Sequence, residues 1–324
     1  MSGTTPPVFP PELIVEPSQT VPSQPTTSLG PLEHLVGTWT NKPLGSSGKG
    51  GQDSPFSYNV MPLPQVDPAN SPDGYILKNF SYYEEITFSA IYGTAPNRGG
   101  LGTQVANTLF YEQRVYFADG PAKDSLVHAE NGSWLFLTDT TQLLGPYGDN
   151  NGTGTGTQMV PGSKPPSQSY DIVKQLSVPH GNSILALGSS HSTSGVPSIP
   201  ASNPVLPVGV NTAPYTVQSV GNPNPALTAN PAQALINGLA VQPVSSYVSL
   251  EVNSQNSNHP ISNIGFIEQH ANVTGYLATY WLQAINGAAD FTQLQYTQTI
   301  LMDIPINGKM ISFPHVTVNT LTKN

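Results

Sequence analysis

Short runs rich in aromatic and β-branched residues recur along the chain, separated by Gly, Pro and Asn. This rhythm limits the available folds more than any other feature. Phe80 to Phe88 and Thr108 to Phe117 are the clearest runs. Such side chains pack well on a pleated surface. In Tyr247 to Asn253, Val248, Leu250 and Val252 alternate with Ser249 and Glu251, which predicts one buried and one wet face. Ser183 to Leu187 reads as a short strand, and Tyr276 to Ile285 and Phe291 to Met302 as two more. Asn131-Gly132, between Leu126-Val127-His128 and Trp134 to Leu137, predicts a type I′ hairpin. Asn307-Gly308 predicts a second one, leading into the last run, Ile311 to Val318.

Helix signals are few. Leu32 to Leu35 reads as one turn closed by Gly37, with a strand beginning near Trp39. Asn230-Pro231 supplies an N-cap and a first-turn proline ahead of Ala232 to Leu239. Many strands at hairpin spacing with one helix predict an all-β fold, either a barrel or a sandwich. The two Asn-Gly hairpins favour an up-and-down meander, so the expectation is a closed antiparallel β-barrel with long loop insertions and one short helix. Residues 1–28, rich in Pro, Ser and Thr, form an extended arm that is a candidate for exchange between subunits. Residues 29–324 then form one domain, with insertions at about 143–169 and 189–240, where Gly, Pro, Ser and Asn dominate and periodicity is absent.

Composition narrows the function classes. Charged residues are 9% of the chain, so solubility rests on neutral polar groups. The net charge of −9 and the lack of any Lys/Arg cluster argue against a nucleic-acid backbone or an anionic membrane as partner. With no cysteine, disulfides, thiolate metal sites and cysteine nucleophiles are excluded. Neither a basic, apolar leader at Met1 to Pro7 nor a membrane-length apolar run is present, and the expected location is cytoplasmic.

Several motifs dissolve on inspection. Gly45 to Gly51 is glycine-rich with one lysine but has no GK[ST] ending and reads as a loop. No Gly-x-Ser-x-Gly elbow occurs. Glu268-Gln269-His270 has no evident helical frame for zinc ligation and reads as loop. Glu84 and Glu85 are successive strand residues and so point to opposite faces. One of them is expected inside the barrel, directed towards Arg114 in a buried ion pair.

His315 is the residue with most chemical content. It stands in the apolar run Ile311-Ser312-Phe313-Pro314-His315-Val316-Thr317-Val318. A neutral imidazole on such a strand is either a core histidine with a satisfied hydrogen bond or a ligand to a metal or haem iron. His180, in Pro179-His180-Gly181-Asn182, sits at a turn entering a strand. Arg98 sits in the turn Ala95 to Gly100, free to pair with a carboxylate or a propionate.

Four segments taken in order resemble bacterial haem-binding β-barrel proteins related to nitrobindin. They are Gly30 to Trp39 (GPLEHLVGTW), Pro96 to Gly99 (PNRG), Pro179 to Ala186 (PHGNSILA), and the pair Leu294 to Thr299 with Phe313 to Val318. The match runs from about residue 30 to the end. The resemblance implies a calycin-like barrel holding haem b (iron protoporphyrin IX), with His315 of the last strand as proximal ligand. Trp39, Phe313 and Tyr296 are then candidate walls of the haem slot, and Arg98, His34 and His180 candidate partners for propionates or the distal side. It further implies a five-coordinate iron that binds NO or reacts with peroxide or peroxynitrite. Such a scaffold serves both sensing and peroxidase-like or peroxynitrite-isomerase-like turnover. The chain is longer than nitrobindin, and its two insertions are placed to cover a face that is open there. Two other classes stand beside this one: a haem-free carrier of a small apolar ligand in the same barrel, and a structural or assembly protein using the N-terminal arm.

Overall fold

The computed structural model describes residues 29–41, 57–64, 75–78, 82–97, 104–118, 120–139, 169–202, 230–258, 260–306 and 308–324. The arm at 1–28, the Gly45 to Gly51 loop, Arg98, most of the insertion at 143–169 and residues 203–229 of the second insertion lie outside the described residues.

The strands are β1 (Gly37–Thr40), β2 (Tyr58–Pro64), β3 (Tyr75–Lys78), β4 (Tyr82–Pro96), β5 (Gln104–Phe117), β6 (Leu126–Asp139) and β7 (Ile172–Val178). They continue with β8 (Asn182–Ser194), β9 (Val244–Asn253), β10 (Ile261–Asn263), β11 (Asn272–Ile285), β12 (Gln293–Ile306) and β13 (Lys309–Lys323). Every pairing is antiparallel. Neighbours run β1-β4-β5-β6-β7-β8-β9-β11-β12-β13, and β13 returns to β1 through Trp39 opposite Lys323, which closes a ten-strand barrel. Closure leaves these strands no free edge. The β2–β3 hairpin is attached to β13 through Val60 opposite Val316, and β10 is attached to β8. The expected all-β barrel is therefore the observed architecture.

Alternation sets what faces inward. On β9, Val248, Leu250 and Val252 are buried and Glu251 is exposed, as its sequence pattern predicts. On β4, Glu84 is fully buried and Glu85 is exposed. The closed end of the barrel is a packed apolar plug containing Trp39, Leu32, Leu35, Phe88, Trp134 and Leu282. The 3-10 turn Gly30–Leu35 closes that end, and the Trp39 indole donates to the Leu35 carbonyl at 2.7 Å. Outside the barrel, α1 (Gln233–Val241) lays Ala234 and Leu235 over Tyr58, Trp281, Val316 and Val318. Gln295 Nε2 ties it down by donating to the Leu235 carbonyl at 3.1 Å.

Several expectations are corrected. Asn131-Gly132 is not a hairpin but lies inside the continuous strand β6. Gly132 is there because β7 passes close by: a Cβ on it would stand 2.0 Å from the Gln175 carbonyl oxygen. The expected turn between β12 and β13 is bounded by Ile306 opposite Lys309, with Asn307 outside the described residues, and a further turn lies at Asn286-Gly287, whose φ angles are 56° and 77°. Positive φ at both central residues is what a type I′ turn demands. Among the described residues there are two α-helices instead of one: Glu268 to His270, expected as loop, belongs to α2 (Gly265–His270). The first turn ahead of α1 is not capped by the Asn230 side chain, which accepts from Ser202 N at 3.1 Å, although its carbonyl accepts from Gln233 N at 3.0 Å. β8 is longer than expected and carries residues up to Ser194 out of the second insertion. No helix among the described residues is long and apolar enough to cross a membrane.

Candidate functional site: a cavity in the open end of the barrel

Above the apolar plug the inward-facing side chains become polar, and above these the barrel is hollow. The middle layer centres on Lys174, which is fully buried on β7. Its ammonium donates to Glu130 Oε1 at 3.1 Å, Tyr276 Oη at 2.7 Å and Tyr280 Oη at 3.2 Å. The rings of Tyr111, Tyr276, Tyr280 and Trp134 surround it, with centroids 5.1 to 5.7 Å away. Burial alone would drive both charges towards neutrality. Their mutual attraction wins, so the Lys174 ammonium is pushed well up and the Glu130 carboxyl held down at about 2. Tyr111 donates to the same Glu130 oxygen at 2.5 Å.

Beside this pair lies a second buried carboxyl. Glu84 Oε2 accepts from Tyr296 Oη at 2.6 Å and Asn319 Nδ2 at 2.8 Å, and Oε1 accepts from Gln113 Nε2 at 3.2 Å. Among the described residues no lysine or arginine reaches it. Burial raises its pKa to about 7, against the pull of the Tyr296 and Asn319 hydrogen bonds. The expected partner Arg114 is elsewhere: strand alternation turns it outward, where it pairs with Glu112 at the surface.

The cavity above this layer has a volume of about 400 Å3. Glu84, Gln113 and Tyr296 form its floor, and Val115, Val178, Val273, Ile300, Met302 and Ile304 make its walls largely apolar. Ile267 of α2 and the following Ala271 stand at its mouth. Three histidines line it: His128 on β6, His180 in the β7–β8 turn and His315 on β13.

His315 is inward-facing and half-buried, its ring enclosed by protein yet open to the hollow. Nδ1 lies 2.9 Å from the Val60 carbonyl oxygen on β2. A carbonyl only accepts, so Nδ1 carries the proton and Nε2 is an acceptor, placed to accept from the Thr317 hydroxyl at 3.4 Å. Burial lowers its pKa to about 4, partly opposed by the Val60 hydrogen bond, so the ring is neutral at ordinary pH. His128 Nε2 is 3.7 Å from Glu130 Oε2, and its ring meets His180 edge-on at 5.3 Å. His180 is exposed at the rim, and its pKa is lowered by burial and by His128.

Of the residues singled out in the sequence, His315, Tyr296 and His180 meet at this cavity. Trp39 belongs to the plug at the closed end, where Lys323 Nζ sits 5.2 Å above its ring. Phe313 is buried in the cluster beneath α1 rather than in the cavity wall. His34 packs on Phe291 at 4.4 Å near the closed end. Arg98 lies outside the described residues. Sequence reasoning passed over Glu130, Lys174, Gln113, His128 and the tyrosines Tyr276 and Tyr280. The one available signal was a lone charged residue at an inward position of a strand, as with Lys174 in Ile172-Val173-Lys174-Gln175-Leu176.

Among the described residues no group of three or more His, Asp or Glu side chains converges in a way that would hold a bare metal ion. Comparison with family models and with curated proteins finds no match for this chain. The nitrobindin resemblance therefore rests on the quoted segments alone.

Proposed function

We propose that the protein binds a small, largely apolar molecule in the open end of its barrel, and that this molecule is haem with His315 as axial ligand. The observation carrying this reading is the tautomer of His315. A ligating imidazole usually donates its second ring N–H to a carbonyl or carboxylate, which fixes both tautomer and orientation. The Val60 carbonyl plays that part, and Nε2 is left unprotonated at the cavity edge, with the Thr317 hydroxyl 3.4 Å away.

The lining meets two of the requirements of haem, an axial nitrogen and an apolar slot. A volume of about 400 Å3 falls within the about 300–1,000 Å3 of ligand pockets. For the propionates the described lining offers His180 and Asn182 but no lysine or arginine. Bound there, haem would supply an open iron position for a diatomic such as NO or for reaction with peroxide or peroxynitrite. The chain's own contribution is to hold the imidazole neutral, exclude bulk water with apolar walls, and place the Glu84 layer beneath. Titration of purified protein with haemin tests the reading. A saturable Soret shift lost in His315→Ala supports it; no shift, or an equal shift in the variant, rejects it.

A haem-free carrier of a small organic molecule is the second reading. The observation favouring it is the polarity of the described lining, which presents acceptors and no lysine or arginine, a poor match to a dianionic cofactor. An iron-free native preparation that retains an organic ligand by mass spectrometry would support the carrier over haem.

A further inference from the structure

We propose that the cavity, with Glu84 and Gln113 at its floor and His128 and Asn182 also in its lining, is a binding site for an organic ammonium, a small protonated amine carrying an apolar tail. The inference rests on the cavity being a binding site, which both readings above share, and it does not require haem.

Three independent observations converge on this class of ligand. The first is charge. Among the described residues the barrel interior holds two buried carboxyls, Glu84 and Glu130, and one buried cation, Lys174, which Glu130 already engages. Glu84 is left with neutral hydrogen-bond partners only. An ionised carboxylate out of water is costly without a counter-charge, so a cation arriving at the floor gains most of what Glu84 lacks.

The second is hydrogen bonding. Gln113 Oε1 and Asn182 Oδ1 are buried, belong to the cavity lining, and have no hydrogen-bond partner. Glu130 Oε2, behind His128, has none either. His315 Nε2 is also an acceptor, with the Thr317 hydroxyl 3.4 Å away. Buried acceptors without donors are rare and expensive, and Gln113 Oε1 and Asn182 Oδ1 line one hollow. Such a cavity asks for N–H groups, and a primary ammonium brings three.

The third is shape. The cavity is polar at its floor and apolar along Val115, Val273, Ile300 and Met302. Tyr296 presents an aromatic ring at the floor, which adds cation–π attraction. A ligand with a charged head and a hydrocarbon body matches that gradient; a polyol does not.

The test is calorimetric titration of haem-free protein with three ligands of similar size: 2-phenylethylammonium, 2-phenylethanol and 3-phenylpropanoate. The ammonium is expected to bind about tenfold or more tighter than the alcohol, and the carboxylate not at all. Glu84→Gln is expected to cost the ammonium about tenfold in affinity and to leave the alcohol unchanged. Gln113→Leu, which removes an unpartnered acceptor and one neutral donor to Glu84 but keeps the carboxyl itself, is a second variant should Glu84→Gln not fold. It is expected to weaken the ammonium more than the alcohol. Ammonium affinity should also rise as pH passes through about 7, as Glu84 ionises. Glu84 is faced by Tyr82 on its own strand, Glu130 and His128 on β6, Tyr280 on β11 and Tyr296 on β12. The binding-linked proton release, read from heats in buffers of different ionisation enthalpy, should fall in Glu84→Gln by the share that Glu84 contributes. Equal affinities for ammonium and alcohol in the wild type, or an ammonium affinity unaltered by both variants, would overturn the proposal. Haemin titration of the same samples keeps the readings apart: a Soret shift with no ammonium binding rejects only the amine site, and ammonium binding with no Soret shift rejects only haem.

Discussion

His315 Nδ1 and the Val60 carbonyl oxygen lie 2.9 Å apart and join the last strand of the barrel to the hairpin that flanks it. That contact decides which nitrogen of the ring faces the cavity. It also opposes, without cancelling, the effect of burial, which leaves the imidazole neutral down to about pH 4. For a base the sign runs in one direction. Stability from the neutral ring is fully present above the ordinary value of 6.5 and is lost as pH falls through about 4. His315→Ala is therefore expected to fold at neutral pH and to lose less stability between about pH 6.5 and 4 than the wild type does. Denaturant unfolding at both pH values measures this, and ring NMR of His315 should show no protonation until near pH 4. A His315 titration close to 6.5 would contradict it.

The Lys174–Glu130 pair is expected to be a structural keystone. Both side chains are fully buried, so removing one leaves the other charged and uncompensated. Lys174→Met is predicted to cost about 3–5 kcal/mol, and the double change with Glu130→Gln to recover a large part of it. Equilibrium unfolding in urea provides the comparison. Glu130 is depressed to about 2, so its contribution is complete above its usual value near 4.5 and disappears as pH falls towards 2. Acid unfolding of the wild type should be steepest in that window, and the double variant should show a shallower slope there.

Glu84 has the opposite sign. Its carboxyl is raised from 4.5 to about 7, so its stabilising contribution is present below about 4.5 and is lost as pH rises through 7. Glu84→Gln keeps a group able to bond Tyr296 and carries no charge. The difference in unfolding free energy between variant and wild type is predicted to move in favour of the variant from about pH 5 to pH 8, by on the order of 3 kcal/mol. A pH-independent difference would mean that Glu84 ionises as an ordinary surface carboxylate does.

These four side chains show where the sequence is and is not legible. The barrel could be read because its signals are local: alternation in β9, the β-branched runs of β4 and β5, and the Asn307-Gly308 turn each act within a few residues. His315 and Tyr296 could be reached for the same reason, from apolar strands with one odd polar member. Glu130 and Lys174 could not be paired in advance, because their meeting depends on the register of β6 against β7, where Trp134 opposes Lys174. Register is fixed by the whole sheet, and a shift by one residue would turn both charges to solvent. The Asn-Gly rule failed for a related reason. Asn131-Gly132 and Asn286-Gly287 are the same dipeptide, but only the second has both residues at positive φ. Asn237-Gly238 is a third copy and lies inside α1. Local turn preference is weak, and tertiary packing overrides it wherever a long strand or a helix face is worth more.

Gly132 gives the sharpest check on that last point, because its role is close approach and not turning. Its backbone faces Tyr111 on one side and Leu176 on the other, and an added Cβ would sit 2.0 Å from the Gln175 carbonyl oxygen and 2.9 Å from Leu176 Cα. Those are backbone atoms of a paired strand and cannot rotate away, so Gly132→Ala must push β7 off β6. Overpacking of this kind costs about 1–3 kcal/mol, the upper end being expected where backbone has to move. The damage should also reach the cavity floor, since Glu130 is two residues away on the same face and Lys174 is carried by the displaced strand. Gly265→Ala is the control: it has open space around its Cβ and no positive φ, and is expected to be neutral or slightly stabilising. Thermal unfolding of the two variants beside the wild type decides the matter. A hairpin at Asn131-Gly132 would put Gly132 in open solvent and make its substitution by alanine a problem of φ alone. A lowered midpoint for Gly132→Ala, together with slowed or lost protection of the β6–β7 amides in hydrogen exchange, is the outcome that continuous pairing of the two strands requires.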